Sequence, residues 1–154
     1  MINFISKVPE LPDVPVEKNS VLTGYQHGAI HYALGQRLHE HLRAIGAILN
    51  EDNGFSVGEM PFVKKESDVL DAVGFDRKEL DMIFNFETVD MDHGPDGKFS
   101  PRAQPWKLSE LKQITEKWQI FMYNNNGWNA LYLENHDQSR SVSRYCSDHP
   151  THRE

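Results

Sequence analysis

The sequence alternates between helical patterns and short apolar runs of strand character. Apolar residues recur every three or four positions over residues 28–49, 67–73 and 109–122. The runs of strand character cover residues 55–58, 80–86 and 129–133. Strands that alternate with helices form parallel β-α units, so the predicted fold class is α/β. A closed eightfold barrel takes about 250 residues, so these 154 residues form either a small open α/β layer or part of a barrel.

The ends of the predicted elements carry ordinary local signals. Ser67 and Ser109 are predicted to cap the second and third helices, and Gly74 is predicted to close the second. A polar segment rich in Gly and Pro follows at about residues 87–105, and it is too long for a simple connection. Such a segment is usually functional or covers a site.

Composition excludes several classes of function. The formal net charge is −7. An acidic protein binds the negatively charged phosphate backbone of nucleic acids poorly, so no nucleic-acid partner is expected. The single cysteine, Cys146, forms no internal disulfide. No run approaches the roughly 20 apolar residues of a membrane span, and no secretory signal precedes the first helix. A soluble, cytoplasmic protein without a membrane partner is therefore expected.

Polar side chains follow two of the predicted strands at the point where each strand ends. Glu59 comes directly after residues 55–58, and His136, Asp137 and Arg140 follow residues 129–133. Because the carboxyl ends of parallel strands meet at one edge of a sheet, Glu59 and Asp137 are predicted to face one cleft. Glycoside hydrolysis is the reaction class that most often needs such a pair of carboxyl groups.

Each of these side chains also has a plain structural interpretation. Glu59 suits a general acid because a carboxyl group in a partly dry cleft keeps its proton at neutral pH, but it also suits the start of a surface loop. His136 and Asp137 are suited to holding sugar hydroxyls and stabilising positive charge, or they form a solvated turn. Arg140 is either a structural ion-pair partner or, if the cleft exists, a ligand contact.

Several aromatic side chains are candidates for stacking against a sugar ring or for the core. Trp118 lies on the apolar stripe of its helix, which favours a core position. Phe84 and Phe86 share one face of a strand, which is usually a packing face. Trp106 and Trp128 fit either interpretation.

A metal site is a further hypothesis, with weak support. His27 and His31 are spaced to share a helix face, but a third zinc ligand is missing. The acidic segment at residues 90–97 lacks the middle oxygen ligand and the closing Glu of a calcium loop. No metal or other cofactor is expected.

Three strings of residues carry a family resemblance. They are Gly58-Glu59-Met60, Glu134-Asn135-His136-Asp137-Gln138-Ser139-Arg140 and, at the start, Ile2-Asn3-Phe4-Ile5-Ser6-Lys7. Together they resemble the oligo-1,6-glucosidase and maltase branch of glycoside hydrolase family 13, the α-amylase family, over nearly the whole chain. The resemblance implies a partial (β/α)8 TIM barrel, from the connection after strand 4 through strand 7. Residues 1–154 would then be one partial catalytic domain without the first barrel strands and the carboxy-terminal domain.

The resemblance also implies roles for the site residues. Glu59 matches the acid/base, Asp137 the transition-state stabiliser, His136 a sugar contact and Arg140 an arginine that lines the pocket. The implied reaction is retaining hydrolysis of terminal α-linked glucose from short oligosaccharides such as maltose, isomaltose or sucrose. In relatives the nucleophilic Asp stands just before the position of Met1, so the 154-residue chain alone is expected to be inactive. The alternative is a catalytically dead relative that serves as a sugar-binding or protein-interaction scaffold.

Overall fold

A computed structural model describes residues 7–15, 26, 28–63, 65–94, 104–147 and 149–152 of the chain. The elements in these ranges are, in order, α1 (Ala29–Tyr32), α2 (Leu38–Glu51), β1 (Val57–Glu59), α3 (Glu66–Val73), β2 (Met82–Phe84), α4 (Leu108–Asn124), α5 (Ser141–Tyr145) and a 3-10 turn (Pro150–His152). In this part of the chain, no helix combines the length and the apolar character that crossing a membrane requires.

The strands are parallel, as the alternating pattern predicts. β1 and β2 pair in register, with Val57 opposite Met82 and Glu59 opposite Phe84. Phe84 also forms a parallel bridge with Ala130. β1, β2 and the bridge residue Ala130 therefore lie side by side in the same direction, with the carboxyl ends of the two strands at one edge.

The prediction of a buried strand over residues 129–133 is wrong. Only Ala130 pairs, and the side chains of Leu131 and Leu133 are 54% and 47% exposed. An apolar run specifies a buried strand only where a second layer covers it, and the described residues leave about half of each of these two side chains exposed.

The single helix predicted over residues 28–49 is also wrong. The chain leaves the helical path between α1 and α2, where Ala33 is extended and Leu34 has a φ of 58°. The apolar spacing of Ile30, Leu34 and Leu38 continues across this break, although α1 has no buried residue and the buried face belongs to α2. Apolar periodicity does not detect a turn that preserves the phase of the pattern.

The helices α3 and α4 start earlier than their serines predict. Their N-cap residues are Lys65 and Lys107, and neither makes a side-chain capping hydrogen bond. Acidic residues in the first turns, such as Glu66 and Glu110, favour these ends through the helix dipole. Gly74 does end α3, where its N–H donates to the carbonyl oxygen of Leu70 at 2.8 Å.

The core lies between the sheet and the helices that cover it. Its buried members are Leu38, Leu42, Met60, Val69, Ala72, Val73, Ile83, Trp118 and Met122. Trp118 is 3% exposed, which confirms its predicted core position. Met60 belongs to this cluster and directly follows Glu59, so the core fixes the chain at the end of β1.

At the amino ends of the strands, a buried carboxylate joins α2 to the segment before β2. Glu79 is 2% exposed. Its carboxylate contacts His39 Nδ1 at 2.7 Å, and it accepts hydrogen bonds from Arg43 and Arg77, each at 3.1 Å. Because this cluster lies at the edge opposite to Glu59, it stabilises the fold without contributing to the predicted cleft.

Candidate active site

Glu59 is the last residue of β1, and its side chain is half-buried. The chain turns immediately afterwards, with Met60 and Pro61 buried and Phe62 at a φ of 64°. A positive φ is uncommon for a bulky residue and marks a tightly specified turn. The structure therefore places Glu59 at the carboxyl edge of the sheet, as the sequence predicts.

His136 and Asp137 lie in a turn that follows the bridge residue Ala130. Their side chains are 81% and 48% exposed, and His136 Nε2 is 3.8 Å from Asp137 Oδ1. The Oδ1 atom of Asn135 accepts a hydrogen bond from the N–H of Asp137 at 2.9 Å. This Asx turn fixes the main chain at Asp137, whose side chain stays about half exposed.

Arg140 makes the ion pair that its structural interpretation predicts. Its Nη1 atom is 3.1 Å from Glu134 Oε1, although its side chain is 83% exposed. The other oxygen of Glu134 accepts a hydrogen bond from the N–H of Ser141. Hydrogen bonds from Ser141 and the charge of Arg140 lower the pKa of Glu134. The two oxygens of Glu134 thus hold together the first and last residues of the segment at 134–141. This segment carries His136 and Asp137.

Tyr132 lies between the bridge residue Ala130 and this segment. Its ring packs edge-on against Phe84 and Phe86, with centroid distances of 5.0 and 6.4 Å. Burial raises the pKa of the Tyr132 hydroxyl, and the negative charges of Asp90 and Glu59 raise it further. Glu59 therefore lies within electrostatic range of the residue that leads into the segment. Phe84 and Phe86 both contact the Tyr132 ring, but β2 ends at Phe84, so Phe86 does not share a strand face with it.

A buried ion pair that the sequence analysis missed lies behind the segment. The side chains of Arg144 and Asp92 are 6% and 3% exposed, and the guanidinium donates to both carboxylate oxygens through Nε and Nη2. Burial raises the pKa of the Asp92 carboxyl, but hydrogen bonds and charge from Arg144 lower it more, so the net pKa lies below its ordinary value. No local pattern identifies this pair, because its members lie 52 residues apart.

A cleft of about 740 Å³ lies beside the site, between the turn after β1 and the first half of α4. Its walls include Phe62, Phe86, Glu87 and Asp90. Glu87 is held by Lys117 Nζ at 2.8 Å and by the indole N–H of Trp118 at 2.7 Å. The four residues predicted for the active site do not line this cleft.

The described residues contain no group of three or more His, Cys, Asp or Glu side chains that could hold a metal ion. The hypothetical metal ligands His27 and residues 95–97 lie outside the described residues.

Comparison with protein families gives a match along the whole chain. Residues 1–154 match the family described as alpha amylase, catalytic domain. The α-glucosidase of Schizosaccharomyces pombe is 46% identical over 152 residues, which are 99% of this chain and 26% of that enzyme. The oligo-1,6-glucosidase of Parageobacillus thermoglucosidasius is 42% identical over 149 residues, 96% of this chain and 25% of that enzyme. The chain thus spans about a quarter of the length of these curated relatives.

Solved structures agree with these sequence matches. The trehalose-6-phosphate hydrolase of Bacillus licheniformis superposes with a TM-score of 0.74 at 32% identity, over 97% of this chain and 25% of that one. The isomaltulose synthase of Protaminobacter rubrum gives a TM-score of 0.78 at 26% identity, over 97% and 25%. Such neighbours are TIM-barrel enzymes, and the described elements form a small part of such an architecture.

Proposed function

The chain belongs to the α-amylase catalytic-domain family of glycoside hydrolases, and we propose that it forms the part of an α-glucosidase that carries Glu59, His136 and Asp137. The observation that carries the proposal is the position of Glu59 at the carboxyl end of β1, in a chain 46% identical to an α-glucosidase. We further propose that the described strands correspond to strands 5 to 7 of the barrel.

Glu59 acts as the general acid and base. The buried Met60 on one side and β1 on the other fix its main chain, so the Glu59 side chain starts from a defined position at the sheet edge. Protonation of the leaving sugar oxygen by a positioned acid accelerates such reactions by about 10²–10⁴-fold. The same group, once deprotonated, activates the water that completes a retaining reaction.

Asp137 stabilises the positive charge that develops on the reacting sugar ring, and His136 binds a hydroxyl of the same ring. The exposure of both side chains leaves them accessible to substrate, and the Asx turn at Asn135 holds their main chain. A fixed carboxylate is effective here because it needs no reorganisation as charge develops. Arg140 lines the pocket while it pairs with Glu134.

The substrate class is a short oligosaccharide with a terminal α-linked glucose, of the maltose, isomaltose or sucrose type. Several relatives are oligo-1,6-glucosidases or α-glucosidases, which supports this class. The family resemblance assigns the nucleophilic Asp to the strand before the one that matches β1.

A catalytically dead scaffold is the less favoured alternative. A scaffold has no chemical need for an acid, a second carboxylate and an imidazole at one sheet edge, and this chain has all three in Glu59, Asp137 and His136. Sugar binding without hydrolysis, measured by calorimetry on a full-length enzyme that contains this chain, would favour the scaffold.

The test uses a grafted enzyme, defined as the S. pombe α-glucosidase in which this chain replaces the segment that it matches. The grafted enzyme is expected to hydrolyse maltose. Glu59→Gln should lower maltose hydrolysis by about 10²–10⁴-fold. The loss should be smaller in the first step with α-glucosyl fluoride, because fluoride leaves without a proton from the enzyme. Asp137→Asn should lower both reactions.

The control is Glu51→Gln, which removes an exposed carboxylate at the end of α2 and should leave both rates unchanged. A grafted enzyme with native circular dichroism but no maltose hydrolysis would contradict the proposal. Full activity in Glu59→Gln would contradict the role of Glu59.

A further inference from the structure

The buried pair Asp92 and Arg144 fastens α5 to the segment that follows β2. In addition to the two hydrogen bonds to Asp92, Nη2 of Arg144 donates to the carbonyl oxygen of Val89 at 2.7 Å. Val89 itself is fully buried. Arg144 therefore binds both the side chain of Asp92 and the main chain at Val89, in the segment that follows β2.

Tyr145 adds a second attachment beside Arg144. Its hydroxyl donates to the carbonyl oxygen of Thr88 at 3.3 Å, and its ring meets that of Trp106 edge-on at 5.1 Å. The guanidinium of Arg144 lies 4.8 Å from the centre of the Tyr145 ring. These contacts matter because a helix as short as α5 (Ser141–Tyr145) is not stable on its own.

The helix α5 begins at the end of the segment at residues 134–141. There the Glu134 carboxylate binds the Ser141 N–H and the Arg140 guanidinium. The other end of the segment is held by Tyr132, whose ring packs on Phe84. The turn that carries His136 and Asp137 is thus held on one side by the sheet and on the other by α5.

A buried ion pair contributes little net stability in general, because desolvation of both charges offsets their attraction. Its directional hydrogen bonds, however, select one arrangement of the elements that it joins. We infer that Asp92 and Arg144 are positioning residues for catalysis, which fix the placement of His136 and Asp137 through α5. This inference rests on the proposed function, and neither residue is assigned a contact with substrate.

The first measurement is steady-state kinetics of the grafted enzyme with Asp92→Asn or Arg144→Lys. Each variant should lower kcat for maltose by 10-fold or more at a temperature where it remains folded, while KM changes less. The matched control is Glu79→Gln. It perturbs a buried carboxylate with arginine partners at the opposite edge of the strands, so it should lower Tm without changing kcat. Equal kcat values in Asp92→Asn and Glu79→Gln would overturn the inference.

The second measurement is amide hydrogen exchange, which does not depend on activity. Exchange at residues 134–141 should become faster in Asp92→Asn and stay unchanged in Glu79→Gln. Unchanged exchange in Asp92→Asn would overturn the inference even if the enzyme is active. If the grafted enzyme without further substitutions is folded but inactive, the proposed function is refuted, and catalytic positioning with it. Faster exchange at residues 134–141 in Asp92→Asn would still show that the ion pair holds this segment in place.

A double variant separates positioning from folding if single variants unfold. Asp92→Asn combined with Arg144→Leu leaves no unpaired buried charge, so its Tm should exceed that of Asp92→Asn alone. Its kcat should remain low because the attachment of α5 is still missing. Recovery of kcat together with Tm would show a purely structural role and overturn the inference.

Discussion

Gly46 of α2 lies directly against the main-chain carbonyl oxygen of Lys78, and a Cβ atom added at Gly46 would be 2.1 Å from that oxygen. The absence of a side chain therefore allows α2 to reach the segment before β2, where His39 and Arg43 of the same helix meet Glu79.

Gly46→Ala tests this close approach. Alanine favours a helix by about 1 kcal/mol over glycine, but the clash with main-chain atoms should dominate and lower the free energy of unfolding by about 1–3 kcal/mol. Urea unfolding of the 154-residue chain provides the measurement. The exposed neighbour Ala47→Gly serves as the control, because it reports helix propensity alone. A stabilising Gly46→Ala would show that α2 and Lys78 are not in close contact.

The Asp92 and Arg144 pair should make stability depend on pH. The pKa of folded Asp92 lies below its ordinary value of 3.8, so its stabilising contribution is present above about 3.8 and is lost as the pH falls through the folded pKa. The difference in free energy of unfolding between the wild type and Asp92→Asn should therefore be largest at neutral pH and should shrink in acid. Urea unfolding over a pH series provides the measurement.

The control for that series is Glu40→Gln, which removes an ion pair whose side chains are 66% and 58% exposed. Its effect should be small at every pH, as exposed pairs contribute little. A constant difference between the wild type and Asp92→Asn from neutral to acid pH would contradict the assigned ionisation.

Trp118→Phe should remove the hydrogen bond between the indole N–H and Glu87 while keeping an aromatic ring in the core. Hydrogen bonds to charged groups contribute about 1.5–3 kcal/mol, so a loss of that order in the free energy of unfolding is expected. Trp128→Phe is the matched control, because Trp128 is 53% exposed and should change stability by less than about 0.5 kcal/mol. Equal effects of the two substitutions would show that the bond to Glu87 is unimportant.

Arg140→Gln distinguishes a structural role from a substrate contact. Its ion pair with Glu134 is highly exposed, so the free energy of unfolding should fall by less than about 1 kcal/mol. If Arg140 binds sugar in the grafted enzyme, KM for maltose should rise about 10-fold, which corresponds to the loss of one charged hydrogen bond. An unchanged KM would leave Arg140 with the structural role alone.

The sequence predicts the candidate site residues that lie next to their strands in the chain. Glu59 ends β1 as the strand pattern predicts, and the rule that parallel strands share an edge places it at the carboxyl edge of the sheet. His136 and Asp137 follow a run in which only Ala130 pairs, so the strand pattern alone does not fix their position. The positions of α3 and α4 likewise follow from apolar periodicity, which is a local property. Only their first residues are wrong, because Lys65 and Lys107 replace the predicted serine caps.

Tertiary structure alone decided the features that depend on distant partners. The turn at Leu34 keeps the phase of the helical pattern and is therefore invisible in it, and the run at residues 129–133 pairs only at Ala130. Asp92 pairs with Arg144, which is 52 residues away along the chain, and Glu79 contacts His39, which is 40 residues away. The sequence determines which residues are charged or apolar, but the partner of a buried charge depends on which elements pack together. That packing is a cooperative property of the whole fold, and it also sets the position of the segment that carries Asp137.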